Sequence, residues 1–191
     1  DDQGWRVEIK SLPRLTDVGA WRAPRVGNWW EREPQSVTDS LTYGGFYTQD
    51  DIREVVEYAR ERFITVVPEI DVPGHSMALL TAYPEISCTG GPFHVNVGNT
   101  FYTKEENSLC VGKEKTFAIL DMIFDELVDL FPSSYIHIGG DECYKGFWAK
   151  CPDCRARMSS KQLQNVEELQ SYFVKRVASH MQSKGKHVIG W

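Results

Sequence analysis

An α/β fold with parallel strands is what this sequence predicts, on three observations. Helical and strand-like segments alternate from about residue 48 to the end of the chain. The strand-like segments, residues 64–70, 135–139 and 187–189, are apolar runs rich in β-branched residues and lack a clean alternation, as expected of strands covered on both faces. All three run into residues able to do chemistry: Asp71 with His75, Asp141 with Glu142, and Trp191. The alternation alone fits a doubly wound sheet and a (β/α)8 barrel equally. The chemistry at every strand end favours the barrel, which gathers its strand ends around one pocket. No Gly-x-Gly-x-x-Gly follows a strand, so dinucleotide binding has no support.

Residues 1–28 read as a long excursion, with a brief extended stretch from Trp5 to Ile9 and breaks at Pro13, Gly19 and Pro24. Residues 26–45 stay loop-like up to Gly44-Gly45. A helix then opens at Thr48, a good N-cap with Asp51 three residues on. Ile52, Val55, Val56, Ala59 and Phe63 recur at helical spacing and are expected in the core. The strand over 64–70 delivers Asp71-Val72-Pro73-Gly74-His75, and a short helix is expected over 76–83. Residues 84–112, with Gly90-Gly91-Pro92, show no periodicity; loops that long are usually functional or disordered. A helix over 113–131 carries the stripe Phe117, Leu120, Phe124, Leu127, Phe131 and is stopped by Pro132. After the strand at 135–139, a loop through Trp148 and Cys154 leads to a helix over 165–184. Its buried side is Val166, Leu169, Phe173, Val177 and Met181, and Gly185 is its stop. The last strand ends in Gly190-Trp191.

At 191 residues the chain is long enough for one domain with a sizeable core. A net charge of −6 without a basic patch argues against a nucleic-acid partner. No run of about 18 apolar residues is present, hence no expected membrane span. Six tryptophans suit a large core and sugar stacking alike. The chain begins at Asp1 without Met and stops directly after a strand, so it reads as a piece of a longer protein. No signal peptide is visible in it. Five cysteines are an odd count and too few for a disulfide scaffold. Cys151-Pro-Asp-Cys154 has the spacing of half a zinc site, but no second such pair or His pair accompanies it. A structural loop with a local disulfide is therefore the favoured reading, and no metal is expected. Cys88 and Cys110 flank the long loop and would bridge it in an oxidising compartment.

The centre of the chain is Ile136-His137-Ile138-Gly139-Gly140-Asp141-Glu142, a buried strand running through two glycines into two adjacent carboxylates. Taken alone, that pair is equally an acidic helix start, and His75 equally a turn histidine held by backbone. Two carboxylates are the minimum for cleaving a glycosidic bond, but nucleophile and acid normally sit about 5 Å apart on opposite sides of the anomeric carbon. Neighbouring residues with Cα atoms about 3.8 Å apart suit another division of labour. One acid protonates the leaving oxygen, while the other orients and stabilises a nucleophile belonging to the substrate. Asp71 and His75 fit as support, since a carboxylate–imidazole pair tunes a general acid through charge and hydrogen bonding.

Asp1-Asp2-Gln3-Gly4-Trp5-Arg6, Glu69-Ile70-Asp71-Val72-Pro73-Gly74-His75, His137-Ile138-Gly139-Gly140-Asp141-Glu142 and the terminal Gly190-Trp191 together resemble the catalytic domain of glycoside hydrolase family 20, the β-N-acetylhexosaminidases. The resemblance runs end to end, and its His-x-Gly-Gly-Asp-Glu segment is specific. It implies an α/β chain forming part of one (β/α)8 TIM barrel, from the end of strand 2 through strand 5, with residues 1–191 incomplete at both ends. It also implies retaining, substrate-assisted removal of terminal non-reducing N-acetyl-β-hexosamine from glycans or chitooligosaccharides. Asp141 would match the carboxylate that orients the 2-acetamido group, and Glu142 the general acid and later base. Asp71 and His75 would match the pair bonding toward that acid, Trp191 a wall of the acetamide pocket, and Trp148 a lining of the outer site.

No cofactor or metal is implied, and the expected location is periplasmic, cell-surface or secreted. The family's first-strand arginine and its later tyrosine and tryptophans fall outside this chain. The isolated chain, with open sheet edges, is therefore expected to be unstable or inactive. The rival readings are another acetamide-assisted barrel hydrolase such as a chitinase, a catalytically inactive carbohydrate-binding barrel, and a structural domain in which Asp141 and Glu142 only cap a helix.

Overall fold

The computed structural model describes residues 2–98 and 104–191; Asp1 of the opening motif and residues 99–103 of the long loop lie outside the described residues. The opening excursion is more ordered than its sequence suggests. It holds a helical turn, α1 (Arg14–Asp17), and a two-residue strand, β1 (Trp21–Arg22), paired antiparallel with β2 (Tyr43–Gly44). The Arg6 guanidinium ties it down, donating to the carbonyls of Gln3 (2.8 Å), Ala20 (2.9 Å) and Gly45 (2.7 Å). Trp5, Ile9 and Leu15 are buried in the main core.

Helix α2 (Gln49–Arg60) begins with the expected cap: Thr48 accepts from the Asp51 amide, and Asp51 accepts in return from the Thr48 amide at 2.8 Å. Its apolar stripe is only partly buried. Ile52 and Ala59 are buried, whereas Val55 is 49% and Phe63 99% exposed. Phe63 lies beyond the helix at φ +57°, between an Ile64 amide bonded to Ala59 O (3.0 Å) and the helix end. That left-handed stop swings its side chain off the stripe. Val55 lies at the margin of a narrow face, covered chiefly by the helix over Glu114–Leu130.

Residues 64–70 do not form the expected full strand. A single parallel bridge joins Glu69 to His137, flanked by His137 N–H to Pro68 O (2.9 Å), Ile70 N–H to His137 O (3.0 Å) and Val72 N–H to Ile138 O (2.9 Å). Pro68 has no amide to give, which interrupts the ladder.

Helix α3 (Met77–Ala82) is buried along nearly its whole length. In α4 (Glu114–Leu130), Phe117, Leu120, Phe124 and Leu127 are all buried, as is Phe131 just past its end. Strand β3 (Tyr135–His137) follows. The expected loop through Trp148 and Cys154 is instead two helices, α5 (Gly146–Lys150) and α6 (Pro152–Ser160), with Pro152 in the first turn where it costs no hydrogen bond.

Helix α7 (Val166–Ser183) is capped by Asn165, which accepts from the Glu168 amide at 2.9 Å, and buries Leu169, Phe173, Val177 and Met181. Gly185, at φ +75°, closes it while the Lys186 amide returns to Met181 O at 3.0 Å. Strand β4 (His187–Ile189) pairs parallel with β3, Ile136 opposite Val188. The segment at 68–72, β3 and β4 thus run side by side and parallel. The fold is mixed α/β, and among the described residues no helix is long and apolar enough to cross a membrane.

Candidate active site

Parallel pairing brings the carboxyl ends of 68–72 and β3 together, and there the chain makes two unusual turns. Gly139 and Gly140 have φ of +66° and +99°. A Cβ on Gly139 would overlap the Asp71 carboxylate, so only glycine lets that carboxylate nest under the turn. Asp71 Oδ1 accepts from the Gly140 amide at 3.1 Å, and Gln170 Nε2 donates to the Gly140 carbonyl at 2.7 Å. The turn that presents Asp141 and Glu142 is therefore clamped from both sides. Gly139→Ala is expected to destabilise the protein by about 1–3 kcal/mol, through steric overlap as well as backbone strain. A denaturant midpoint unchanged from the native protein would contradict this.

The two residues that meet across the site are themselves strained. His75 has φ +46° and Glu142 φ +44°, in the left-handed region that side chains disfavour. They are joined by His75 Nε2 to Glu142 Oε2 at 3.1 Å, and His75 Nδ1 reaches Asp2 Oδ2 at 2.8 Å. Asp2 is 1% exposed and also accepts from the Met77 amide (3.0 Å) and from Asn107 Nδ2 (3.5 Å). The chain of contacts is Asp2–His75–Glu142. Asp71 holds the glycine turn and is not His75's hydrogen-bond partner.

Asp2 was missed as a site residue because 73 residues separate it from His75. Its only sequence signal is membership in the opening Asp-Asp-Gln-Gly-Trp-Arg motif. Asp141 is half-buried, and among the described residues its Oδ1 is a buried oxygen with no hydrogen-bond partner. Trp191 is 79% exposed and packs its ring against the edge of His137 at 4.9 Å. Its amide bonds to Gly139 O (3.0 Å) and its Nε1 donates to Glu69 Oε1 (3.3 Å), which places it beside the glycine turn.

The family model described as "Glycosyl hydrolase family 20, catalytic domain" matches residues 1–191. The chain belongs to the glycosyl hydrolase family 20 catalytic domain. The family 20 chain is 43% identical over 191 residues to a beta-hexosaminidase of Porphyromonas gingivalis, covering 100% of this chain and 22% of that protein. It is likewise 43% identical to a beta-hexosaminidase of Vibrio furnissii, of which it covers 30%. It superposes over its whole length, at a TM-score of 0.82 and 37% identity, on 29% of a family 20 exo beta-N-acetylglucosaminidase from Vibrio harveyi solved with N-acetylglucosamine. It therefore spans between about a fifth and a third of each of these relatives.

Electrostatics follow from the contacts of the candidate site. The hydrogen bond to Asp2, aided by the charges of Asp2, Asp71 and Glu142, raises His75 to about 9 despite its burial. His75 is thus an imidazolium at neutral pH. Burial pushes the Asp71 carboxyl up, opposed by the Gly140 amide and the His75 charge. Because His75 is raised above its ordinary 6.5, the stability it contributes is fully present below about pH 6.5 and is lost as pH rises through about 9. The stability advantage of the native full-length protein over Asp2→Asn is expected to be largest at mildly acid pH, just below about 6.5, and to shrink as pH rises through about 9. Melting temperatures taken across the range check this, and a difference that stays constant with pH would contradict it.

Asp71, His75 and Asp141 each present a ligand atom within 4.8 Å of the others. Both His75 nitrogens already face carboxylates, those of Asp2 and Glu142. Trp148 does not line a site: it is 0% exposed and donates its Nε1–H to Leu109 O at 2.9 Å, a core tryptophan seated by α5. No disulfide joins any of the five cysteines, so the expected Cys88–Cys110 bridge is not formed. Burial pushes the Cys143 thiol, next to Glu142, up to about 12 and leaves it inert.

Proposed function

We propose that the protein containing this chain hydrolyses terminal non-reducing N-acetyl-β-hexosamine residues of glycans or chitooligosaccharides, with the substrate's 2-acetamido oxygen as nucleophile. The observation that carries the reading is the pairing of a buried acceptor without a partner among the described residues, Asp141 Oδ1, with a neighbouring carboxyl, Glu142, held by an imidazolium. The acceptor suits an acetamido N–H. As the acetamido carbonyl oxygen bonds to the anomeric carbon, nitrogen gains positive charge and Asp141 stabilises it. The bond from the anomeric carbon to the leaving oxygen breaks as Glu142 delivers its proton there. In the second step Glu142 takes a proton from water, which attacks the anomeric carbon and releases the acetamido oxygen. The Asp2–His75 pair orients Glu142, and exposed Trp191 offers an apolar wall for the acetamido methyl.

The family membership and the three parallel segments support a larger reading. Residues 1–191 would be part of one (β/α)8 barrel, from the end of strand 2 through strand 5. Asp71, Asp141 and Trp191 then stand at successive strand ends, where such barrels keep their chemistry. Glycan substrates of this kind fit a periplasmic, cell-surface or secreted location. The stereochemistry of hydrolysis tests the mechanism, since two displacements at one carbon retain configuration. Proton NMR of the full-length protein acting on an aryl N-acetyl-β-glucosaminide is expected to show the β-hemiacetal first. First appearance of the α-anomer would rule the assisted route out.

A further inference from the structure

The fold gathers four of the five cysteines into one buried cluster that the hydrolytic site does not use. Cys151 caps α6 and Cys154 lies in its first turn, while Cys88 and Cys110 arrive from opposite ends of the long loop. The sulfurs of Cys110 and Cys154 are 3.6 Å apart, those of Cys110 and Cys151 3.7 Å, and those of Cys88 and Cys154 3.8 Å. All four lie within 4.8 Å of one another. A flat square with 3.7 Å edges would have diagonals of about 5.2 Å, so the arrangement is closer to a tetrahedron. A zinc ion with four thiolates at about 2.3 Å has sulfur–sulfur edges of about 3.8 Å. A disulfide would need about 2.05 Å.

We propose that these four cysteines form a structural tetrathiolate zinc site. The Cys151-Pro-Asp-Cys154 pair has the two-residue spacing of a zinc knuckle. The second pair, absent from any sequence motif, is supplied by tertiary structure. The backbone is built to hold the two halves together. Gly112 sits so close to Asp153 and Cys154 that a Cβ would collide with their main chain. Arg157 Nη2 donates to Gly112 O at 3.1 Å, and Lys113 Nζ donates to Ser87 O at 2.7 Å, so the backbone flanking Cys110 is tied both to α6 and to the backbone before Cys88. Buried Glu106 accepts from the Cys88 amide at 2.6 Å and the Thr89 amide at 3.0 Å, fixing the approach of the fourth ligand. Cys88 is the least buried of the four and lines a surface cleft with Phe147 and Lys150, an entry path for the ion.

The site closes the excursion between residues 88 and 110 and pins it to α6. That excursion carries Asn107, whose carbonyl accepts from the Ser76 amide at 2.8 Å and whose side chain reaches Asp2. The metal thereby braces the support of His75 from a distance and takes no part in the chemistry.

The test uses the full-length protein purified without chelator. Elemental analysis is expected to find about one zinc per chain. Exchange into cobalt is expected to give the thiolate-to-metal absorption and intense visible bands of a tetrahedral sulfur site. Removing the metal with a strong chelator under reducing conditions is expected to lower the melting temperature, and adding zinc back to restore it. The Cys151→Ser/Cys154→Ser double variant is expected to lose the zinc, while Cys143→Ser keeps it. If the double variant does not fold, the cobalt spectrum and metal content of the native protein still decide the matter. Native protein without zinc, whether its cysteines prove to be two disulfides or thiols that titrate freely without chelator, overturns the proposal. So does zinc retained by a folded double variant.

Discussion

Replacing Glu142 by Gln in the full-length protein is expected to slow hydrolysis of N-acetyl-β-hexosaminides by about 100- to 10,000-fold. The carboxamide keeps the shape and a hydrogen bond toward His75 Nε2, which lies 3.1 Å from Glu142 Oε2, but it has no proton to give. The loss should depend on the leaving group. An alkyl or sugar alcohol needs protonation as it departs, whereas a nitrophenolate hardly does. Chain hydrolysis should therefore suffer far more than hydrolysis of a nitrophenyl glycoside. Equal losses on both would contradict the assignment of Glu142 as the acid. Because Glu142 is held by an imidazolium, His75→Gln should weaken the same step less severely, by misplacing the carboxyl without removing it.

The second large effect is expected at Asp141. Its Oδ1 has no hydrogen-bond partner among the described residues and is buried, a cost that a folded protein ordinarily avoids. A substrate amide that becomes positively charged in the transition state would meet that unused acceptor. Asp141→Asn removes the negative charge and should lower kcat and kcat/KM together by about 100- to 1,000-fold. A rise in KM alone, with kcat unchanged, would mean that Asp141 only binds the sugar and does not stabilise the developing charge.

Much of this was legible in the sequence for a simple reason: helix faces and caps are local. Thr48 and Asp51 lie three residues apart and cap α2 as their spacing predicts. The stripe from Phe117 to Phe131 is buried as its period requires. Local pattern fails where a helix end or tertiary structure decides. Phe63 keeps the helical period but sits in a left-handed stop, so it faces solvent. The sequence places Trp148 in a loop after the acidic pair, yet that segment folds into the short helix α5 and carries it into the core. The same limit governs the site. Asp141 and Glu142 are adjacent and visible, and His75 follows a strand end. Asp2 and the cysteine tetrad are assembled from segments tens of residues apart; the Cys151-x-x-Cys154 spacing announces half of the tetrad, and no local pattern announces the rest.

The measurement that most directly tests the assisted mechanism compares two substrates in the full-length protein. One is an aryl 2-acetamido-2-deoxy-β-glucoside, the other the plain aryl β-glucoside with the same leaving group. A strong preference in kcat/KM for the acetamido sugar is expected, abolished in Asp141→Asn because that variant cannot support the internal nucleophile. Comparable rates on the two sugars would show that the acetamido oxygen is not the attacking group, and the proposed mechanism would fail.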